Sequence, residues 1–198
     1  ISISDIFFCW GNKQLNKILT QKKVDRKKLI LSGSLRIELL KKKYDELFKS
    51  KVNQLKKKYK NLNLFISCYG FSNHYLKEKN DLKDIIKLNS LNRNLDIQNY
   101  KNYIDFNKKR FVNYINNLKR VKDDSAGQII IRPHPSENQK YYSNILENKK
   151  IKVSSKFTVV EWIKAAKVIV HDYCTTSFEA SILKKKIFHF PLNLKNLK

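Results

Sequence analysis

The sequence predicts an α/β fold in which a parallel, Rossmann-type sheet carries helices on both faces. Short, continuous apolar runs, as expected for strands buried on both faces, alternate with helical segments in the C-terminal part of the chain. At three helix starts, Ser or Thr stands three residues before Glu or Gln, which is the capping-box pattern. Two unusual polar motifs also follow strands, at the sheet edge where folds of this kind bind ligands.

Residues 1–60 are predicted to form the end of one Rossmann-like domain and a connecting helix. "DIFFC" (5–9) and "KLILSGS" (28–34) predict strands, and a short helix is expected near residues 13–19. Residues 35–60 are predicted to form one helix, because their leucines recur at helical spacing. These leucines are Leu35, Leu39, Leu40, Leu47 and Leu55.

Residues 61–198 are predicted to form a second domain. A strand at 62–68 leads into the loop "YGFSN", and helices are expected near 82–91 and 100–121. The second of these helices has an apolar face made of Phe111, Ile115 and Leu118. Further strands are predicted at 128–132, 151–153, 167–171 and 186–190. The capping-box pairs are Ser136 with Gln139, Thr158 with Glu161, and Thr176 with Glu179.

The composition disfavours a nucleic-acid partner, and a cytoplasmic location is expected. The net charge is +25, but the lysines are scattered over nearly every predicted helix face rather than concentrated beside aromatic residues. A basic surface of this kind suits peripheral association with an anionic membrane, at the inner face of the cell membrane. The three cysteines form no metal-ligand pattern and suggest a reducing compartment. Neither a metal nor a cofactor is expected.

The sequence contains no methionine and begins at Ile1. We therefore expect an internal or C-terminal fragment of a longer protein, lacking much of the N-terminal domain. Groups that take part in the chemistry would then lie on the missing part.

The first polar motif is "RPHP", at the end of the strand predicted at 128–132. Pro133 and Pro135 restrict the backbone on both sides of His134, so the imidazole would leave the strand end at a fixed angle. A helix expected to start near Ser136 would aim backbone N–H groups at the same space, where a phosphate could bind. The alternative is a stiff turn in which the histidine is incidental.

The second polar motif is "HDYCTTSFEA", in which a strand ends at His171 or Asp172. The hydroxyl residues Thr175, Thr176 and Ser177 would then occupy the first turn of the next helix and could hold an anion together with its amides. Glu179 lies one turn further on, where it could accept hydrogen bonds from ribose hydroxyls. The alternative is that Thr176 and Glu179 simply form a capping box, which leaves the other hydroxyls unexplained.

The two motifs are separated by one further strand and helix, so their strand ends could be neighbours. One would then supply an imidazole and the other an oxyanion cradle, with a nucleotide phosphate between them. Cys174 adjoins the cradle, but no histidine–acid arrangement distinguishes it from a buried thiol.

"RPHP" followed by "DYCTTSFEA" resembles the HP motif and the Ser/Thr-rich motif of GT-B-type transferases that use cytidine-activated donors. These include bacterial sialyl-, polysialyl- and Kdo-transferases and the CDP-glycerol glycerophosphotransferases. The wider pattern of "FFCWG", "LSGSLR", "ISCYGFSNHY", "IIIRPHP" and "VHDYCTTSFEASILKKKIFHF" resembles bacterial surface carbohydrate biosynthesis proteins and covers nearly the whole chain. The resemblance implies a GT-B-like fold.

The resemblance also implies roles for individual residues. It places His134 at the donor phosphate, with Arg132 and Pro135 shaping the turn. It implies that Thr175, Thr176 and Ser177 hold phosphate and that Glu179 meets the ribose. Candidate residues facing the interdomain cleft are Ser72, Asn73 and His171.

Three functions fit this sequence. The favoured one is a metal-independent transferase that moves a glycosyl or polyol-phosphate group from a CMP- or CDP-linked donor. Its acceptor would be a surface polysaccharide, such as capsule or lipopolysaccharide, or a lipid-linked acceptor. The second is a sugar-nucleotide epimerase or hydrolase of the same fold. The third is a non-catalytic, basic polyanion-binding protein in which "RPHP" is only a turn.

Overall fold

A computed structural model of the chain describes residues 5–22, 24–69, 87, 97–121, 127–135, 137–147 and 150–190. They belong to two compact units, Ile1–Ser50 and Lys51–Lys198, each of which is described by itself.

The first unit contains a two-stranded parallel sheet. Strand β1 (Phe7–Cys9) pairs in register with β2 (Leu29–Leu31), and helix α1 (Asn12–Lys22) connects them. Both predicted strands and the helix between them are confirmed. A small apolar cluster holds the three elements together, and its buried members are Cys9, Leu15, Ile18 and Leu29.

The single helix predicted for residues 35–60 is wrong. The chain instead forms a short helix α2 (Leu35–Glu38), a 3-10 turn (Lys42–Tyr44) and helix α3 (Asp45–Lys58). Leu35 and Leu47 are 74% and 67% exposed, so the predicted leucine stripe does not face a common core. Helix α3 has acidic residues in its first turn and lysines in its last, which are the charges that the helix dipole favours at each end. This charge pattern favours a separate helix that starts at Asp45.

The second unit contains a five-stranded, wholly parallel sheet with the order β5-β4-β3-β6-β7. Every strand that the apolar runs predict here is confirmed. The strands are β3 (Asn63–Ile66), β4 (Ile129–Arg132), β5 (Ile151–Val153), β6 (Val168–His171) and β7 (Lys186–His189). Among the described residues, the longer helices that begin in this unit are α4 (Ile97–Arg120), α5 (Gln139–Ile145), α6 (Val159–Ala165) and α7 (Thr176–Ile182). The helix expected near 82–91 falls outside the described residues.

One apolar core cluster of the second unit lies between the sheet and α4. The helix buries its predicted face against strand residues that include Phe65 and Ile131. The buried helix residues are Phe111, Tyr114, Ile115 and Leu118. Trp162 on α6 is also wholly buried, as expected of a core residue, and its indole N–H donates to the carbonyl of Lys156 at 2.5 Å.

Gly127 allows a close backbone approach just before β4. Its φ of +120° is a conformation that L side chains rarely adopt, and a Cβ atom there would overlap the carbonyl oxygen of Asn61. The approach lets the backbone N–H of Asn63 donate to the carbonyl of Gln128 at 2.8 Å. Glycine at 127 therefore sets the entry of the chain into the sheet.

The strand order places the sheet's reversal of direction beside its central strand. From β3 the chain first moves outward to β4 and β5, then crosses back to β6 on the other side of β3. Ile66 pairs with Arg132 on one side and with His171 on the other, so the three strands end at one level. In open α/β sheets the crevice at such a reversal, outside the carboxyl ends of the strands, is the usual ligand site.

None of the helices in the described part of the chain has the length and apolar character that crossing a bilayer requires.

Candidate functional site

The candidate site is built from the loops that follow β3, β4 and β6, which we call the strand-end loops. They comprise residues 67–69, residues 133–137 without Ser136, and residues 172–175. "RPHP" contributes the second loop and "HDYCTTSFEA" the third, as predicted. Ser136 itself, like Ser72 and Asn73, lies outside the described residues, so the sequence-based proposals for them stay predictions.

Glu137 joins the loop after β4 to the loop after β3. Its side chain is buried, and its carboxylate accepts a hydrogen bond from the hydroxyl of Ser67 at 2.7 Å and from the backbone N–H of Tyr69 at 2.5 Å. The backbone N–H of His134 donates at 2.9 Å and the hydroxyl of Tyr142 at 3.3 Å. Burial raises the pKa of Glu137, and the hydrogen bonds from Ser67 and Tyr69 oppose that shift.

His134 is held through its backbone and is exposed at the edge of the sheet. Its N–H donates to the carboxylate of Glu137, and its carbonyl accepts from the backbone N–H of the same residue at 2.9 Å. Pro133 before it is buried and Pro135 after it is exposed. The turn is therefore fixed as the two prolines predict, but a buried carboxylate provides much of the constraint.

Arg132 contacts the loop that follows β5. Its guanidinium donates to the carbonyl of Phe157, in that loop, at 3.3 Å. The helix expected to start near Ser136 begins later, at Gln139, and Asn138 is its N-cap residue. The first-turn amides of this helix therefore come several residues after His134 rather than directly beside it.

The hydroxyl residues after β6 are divided between the surface and the interior. Thr175 is exposed and Ser177 is half-buried, whereas Thr176 and Glu179 are buried. Thr175, not Thr176, is the N-cap residue of α7, so the capping box predicted for Thr176 and Glu179 is wrong by one residue. The helix starts one residue earlier because the N–H of Phe178 already bonds to the carbonyl of Thr175, at 3.0 Å.

The predicted anion cradle has few free amides. The N–H of Ser177 donates to the carbonyl of Cys174 at 3.1 Å, and that of Phe178 is used as just described. The hydroxyl groups of Thr175 and Ser177, rather than a row of amides, are the groups that this loop presents at its surface.

A buried ion pair supports the loop after β6. The guanidinium of Arg110, on α4, lies 3.1 Å from the carboxylate of Asp172. It also donates to the backbone carbonyl of Asp172 at 3.2 Å. The hydroxyl of Tyr69 donates to the same carboxylate at 2.5 Å. The guanidinium also stacks on the rings of Tyr69 and Tyr173, with its carbon 5.1 and 5.0 Å from their centroids.

His171 is paired with His189 across β6 and β7, as the strand register requires. The two rings are 5.2 Å apart, and Tyr173 packs on His189 at 4.8 Å. Burial lowers the pKa of His171, and the neighbouring His189 lowers it further. Tyr173 has a φ of 47° and is 64% exposed, so the chain holds an aromatic ring at this edge at a cost in backbone strain.

The strand ends that lead into "RPHP" and "DYCTTSFEA" are not neighbours, although their spacing in the sequence allowed this. The central strand β3 lies between β4 and β6, so the two motifs are two strand spacings apart, about 10 Å. The loop after β3 fills the gap and bonds to both, through Glu137 and Asp172. A ligand that contacts both motifs would therefore have to bridge this separation.

Sequence reasoning missed the residues that connect the loops. Glu137 is an acid three residues after His134 in the sequence. Arg110 is a cation that directly precedes Phe111 of the apolar face and lies one turn after Asn107, to which it donates. In the described part of the chain, the acidic, histidine and cysteine side chains form no cluster of three that could hold a metal ion.

No protein-family model matches the sequence, and no curated protein is similar to it. Solved structures of the wall teichoic acid polymerase TagF share its fold. One TagF structure has a TM-score of 0.51 and 14% identity, covering 98% of this chain and 40% of TagF. A TagF variant soaked with CDPG gives 0.51 and 13%, covering 98% and 39%, and a histidine-to-alanine variant gives 0.51 and 13%, covering 98% and 41%.

The chain thus spans about two fifths of the length of these structures. The likeness confirms the predicted fold class, a GT-B-like α/β fold of which this chain forms a part.

Proposed function

We propose that this chain is the donor-binding part of a transferase that moves a glycosyl or polyol-phosphate group from a nucleotide-activated donor. The donor would be CMP- or CDP-linked, and the acceptor a surface polysaccharide or a lipid-linked molecule. The observation that supports this proposal is the arrangement of the strand-end loops. Exposed His134 and the surface hydroxyls of Thr175 and Ser177 lie at one sheet edge, at the reversal of strand order.

The fold, and the solved structures that share it, support this proposal. TagF, whose structures share the fold, has been soaked with CDPG in one of its variants. The motif resemblance points independently to cytidine-linked donors. The rest of the N-terminal domain and the acceptor side of the reaction would belong to the whole protein.

In the proposed mechanism, His134 and the hydroxyls bind the two ends of the donor's phosphate-containing part. The separation of about 10 Å between the motifs suits a diphosphate with its attached ribose better than a lone phosphate. His134 would stabilise the negative charge that develops on the departing nucleotide, by donating a hydrogen bond or a proton. Thr176 and Glu179 are buried, so we assign them to the support of the loop.

The buried polar groups beneath the loops would keep these donors in place. Glu137 fixes the backbone of His134, and Arg110 with Asp172 fixes the loop that carries Thr175. Preorganised donors cost no rearrangement when charge develops, which is the physical advantage of such a site.

The test is the thermal stabilisation of this chain by CMP, CDP and UDP, with His134→Ala compared. Ligand at a hundred times its dissociation constant should stabilise the folded state by about 2.7 kcal/mol, which is visible as a rise in melting temperature. We expect cytidine nucleotides to stabilise the wild type and to lose most of this effect in His134→Ala. Lys140→Ala is the matched control, because it removes an exposed cation near the turn and should bind normally.

The other outcomes distinguish the alternatives. Weak stabilisation by every nucleotide and by tripolyphosphate, removed by salt in wild type and variant alike, would favour the basic polyanion-binding protein. Donor cleavage by the whole protein without any acceptor would favour the hydrolase or epimerase.

A further inference from the structure

Cys68 and Cys174 lie side by side beyond the ends of two neighbouring strands. β3 and β6 are adjacent and parallel, with Ile66 paired to His171. The two cysteines follow this pair by two and three residues, in the strand-end loops. Both are free thiols. Adjacent strands are about 4.8 Å apart, so the two loops that carry these cysteines leave the sheet side by side.

The two thiols interact with each other and with the loop after β6. Their side chains are hydrogen-bonded, and the sulfur of Cys174 also lies 3.2 Å from the hydroxyl oxygen of Thr176. Cys174 is 6% exposed, whereas Cys68 is half-buried. A small molecule can therefore approach the pair from the side of Cys68.

The interaction shifts the pKa values of the two thiols in opposite directions. The hydrogen bond from Cys68 lowers the pKa of Cys174 to about 6, against the opposing effect of burial, and Thr176 adds to the lowering. The same hydrogen bond, followed by burial, raises the pKa of Cys68. A thiol of lowered pKa thus lies beside a second thiol, which is the arrangement that reacts with oxidants.

We propose that Cys68 and Cys174 form an oxidation site for hydrogen peroxide or a similarly small two-electron oxidant. The thiolate of Cys174 attacks one peroxide oxygen, the O–O bond breaks, and a sulfenic acid and hydroxide form. The thiol of Cys68 then attacks the sulfur of that sulfenic acid, and its proton leaves with the hydroxyl group as water. The proton given up earlier by Cys174 converts the hydroxide to a second water, so two thiols and one peroxide yield a disulfide and two waters.

The disulfide would change the loop that carries Thr175 and Thr176. Its formation takes the sulfur of Cys174 out of its hydrogen bond with Thr176 and ties this loop to the one after β3. Reduction by a cellular thiol would reverse the change. Weaker nucleotide binding in the oxidised form is a consequence that rests on the proposed function, whereas formation of the disulfide does not.

The experiment treats the chain with hydrogen peroxide, counts free thiols, and maps disulfides by peptide mass. We expect the count to fall from three to one, with the bridge between Cys68 and Cys174 and with full reversal by dithiothreitol. The rate of thiol loss should rise with pH about a midpoint near 6. Cys9→Ala is the matched control, because Cys9 lies in the other unit and its replacement should leave the bridge unchanged.

Two further variants separate the steps. Cys68→Ser should stop at a sulfenic acid on Cys174 that dimedone traps, and Cys174→Ser should react at least tenfold more slowly than the wild type. Three remaining thiols in the wild type, or a bridge that contains Cys9 or joins two chains, would overturn the proposal. The mapping uses the unmodified chain, so it stands even where a variant fails to fold. A bridge without any effect on nucleotide binding would count against the proposed function and not against the oxidation site.

Discussion

The hydroxyl of Tyr69 donates a hydrogen bond of 2.5 Å to the buried carboxylate of Asp172, 103 residues further along the chain. The backbone N–H of the same tyrosine donates to Glu137, also at 2.5 Å. One residue thus connects the loop after the central strand to the loops on both sides of it. The three loops are held as a unit by buried polar groups rather than by apolar packing alone.

Replacing Tyr69 by phenylalanine should destabilise the protein by about 1–3 kcal/mol, because the carboxylate of Asp172 loses a buried donor. Tyr114→Phe is the matched control. Its ring is also buried, but among the described residues its hydroxyl has no hydrogen-bond partner, so losing that oxygen should cost little or nothing. Urea unfolding of both variants measures the difference. Equal losses in the two would show that the bond to Asp172 contributes nothing.

Glu137 should make stability depend on pH. Its folded-state pKa is raised above the unfolded value, so its contribution is fully present below the ordinary value of 4.5 and is lost as pH rises through the folded pKa. Glu137→Gln should abolish this part of the pH dependence. The substitution should also lower the free energy of unfolding by about 1–3 kcal/mol, because the amide NH2 group would face donors where the carboxylate accepts hydrogen bonds.

Unfolding in urea at a series of pH values from 4 upward tests this. Glu147→Gln serves as the control, because Glu147 is exposed and lies ten residues further along the chain. This variant should retain the wild-type pH profile. A Glu137→Gln profile that parallels the wild type would show that the titration lies elsewhere.

Breaking the ion pair between Arg110 and Asp172 should be costly from either side. Both side chains are buried, so Asp172→Asn or Arg110→Met alone leaves a buried charge without its partner. Each single variant should lose about 3–5 kcal/mol of stability. The double variant should lose clearly less than the sum of the two single losses, since neither charge is then left alone. Chemical unfolding of all four proteins completes the cycle, and strict additivity would contradict a direct interaction.

Gly127→Ala should destabilise the protein by about 1–3 kcal/mol or more. The residue combines a positive φ with a Cβ position that overlaps the backbone of Asn61, and neither problem can be relieved by rotating a side chain. Gly11→Ala is the control, because a Cβ there meets open space and its φ is ordinary. Comparing melting temperatures is sufficient, and a neutral Gly127→Ala would mean that the chain enters β4 differently.

The sequence predicts the strands well and their arrangement poorly. Continuous apolar runs are local signals. They predict β3 to β7 correctly because a strand that is buried on both faces needs apolar side chains at nearly every position. Nothing local shows that β3 comes between β4 and β6, so the sequence also allows "RPHP" and "DYCTTSFEA" to be neighbours. As their motifs predict, His134 and the hydroxyl residues lie just after β4 and β6.

The residues that position the site could not be identified this way. The bond between Glu137 and Tyr69 spans 68 residues, and its partner is a backbone N–H that any residue would supply. Helix starts were misplaced for a related reason. Thr175 and Thr176 are both good N-cap residues, and tertiary packing chooses between them.

The position of β3 also determines the order in which the sheet can assemble. The central strand is the first of the five along the chain, and Asn63 pairs with Val168 only after roughly a hundred further residues have been made. Until then one edge of β3 has unpaired backbone groups, which other chains could also bind. Folding of this unit should therefore be limited by long-range strand pairing, on a millisecond-to-second scale, and aggregation should compete with it during synthesis.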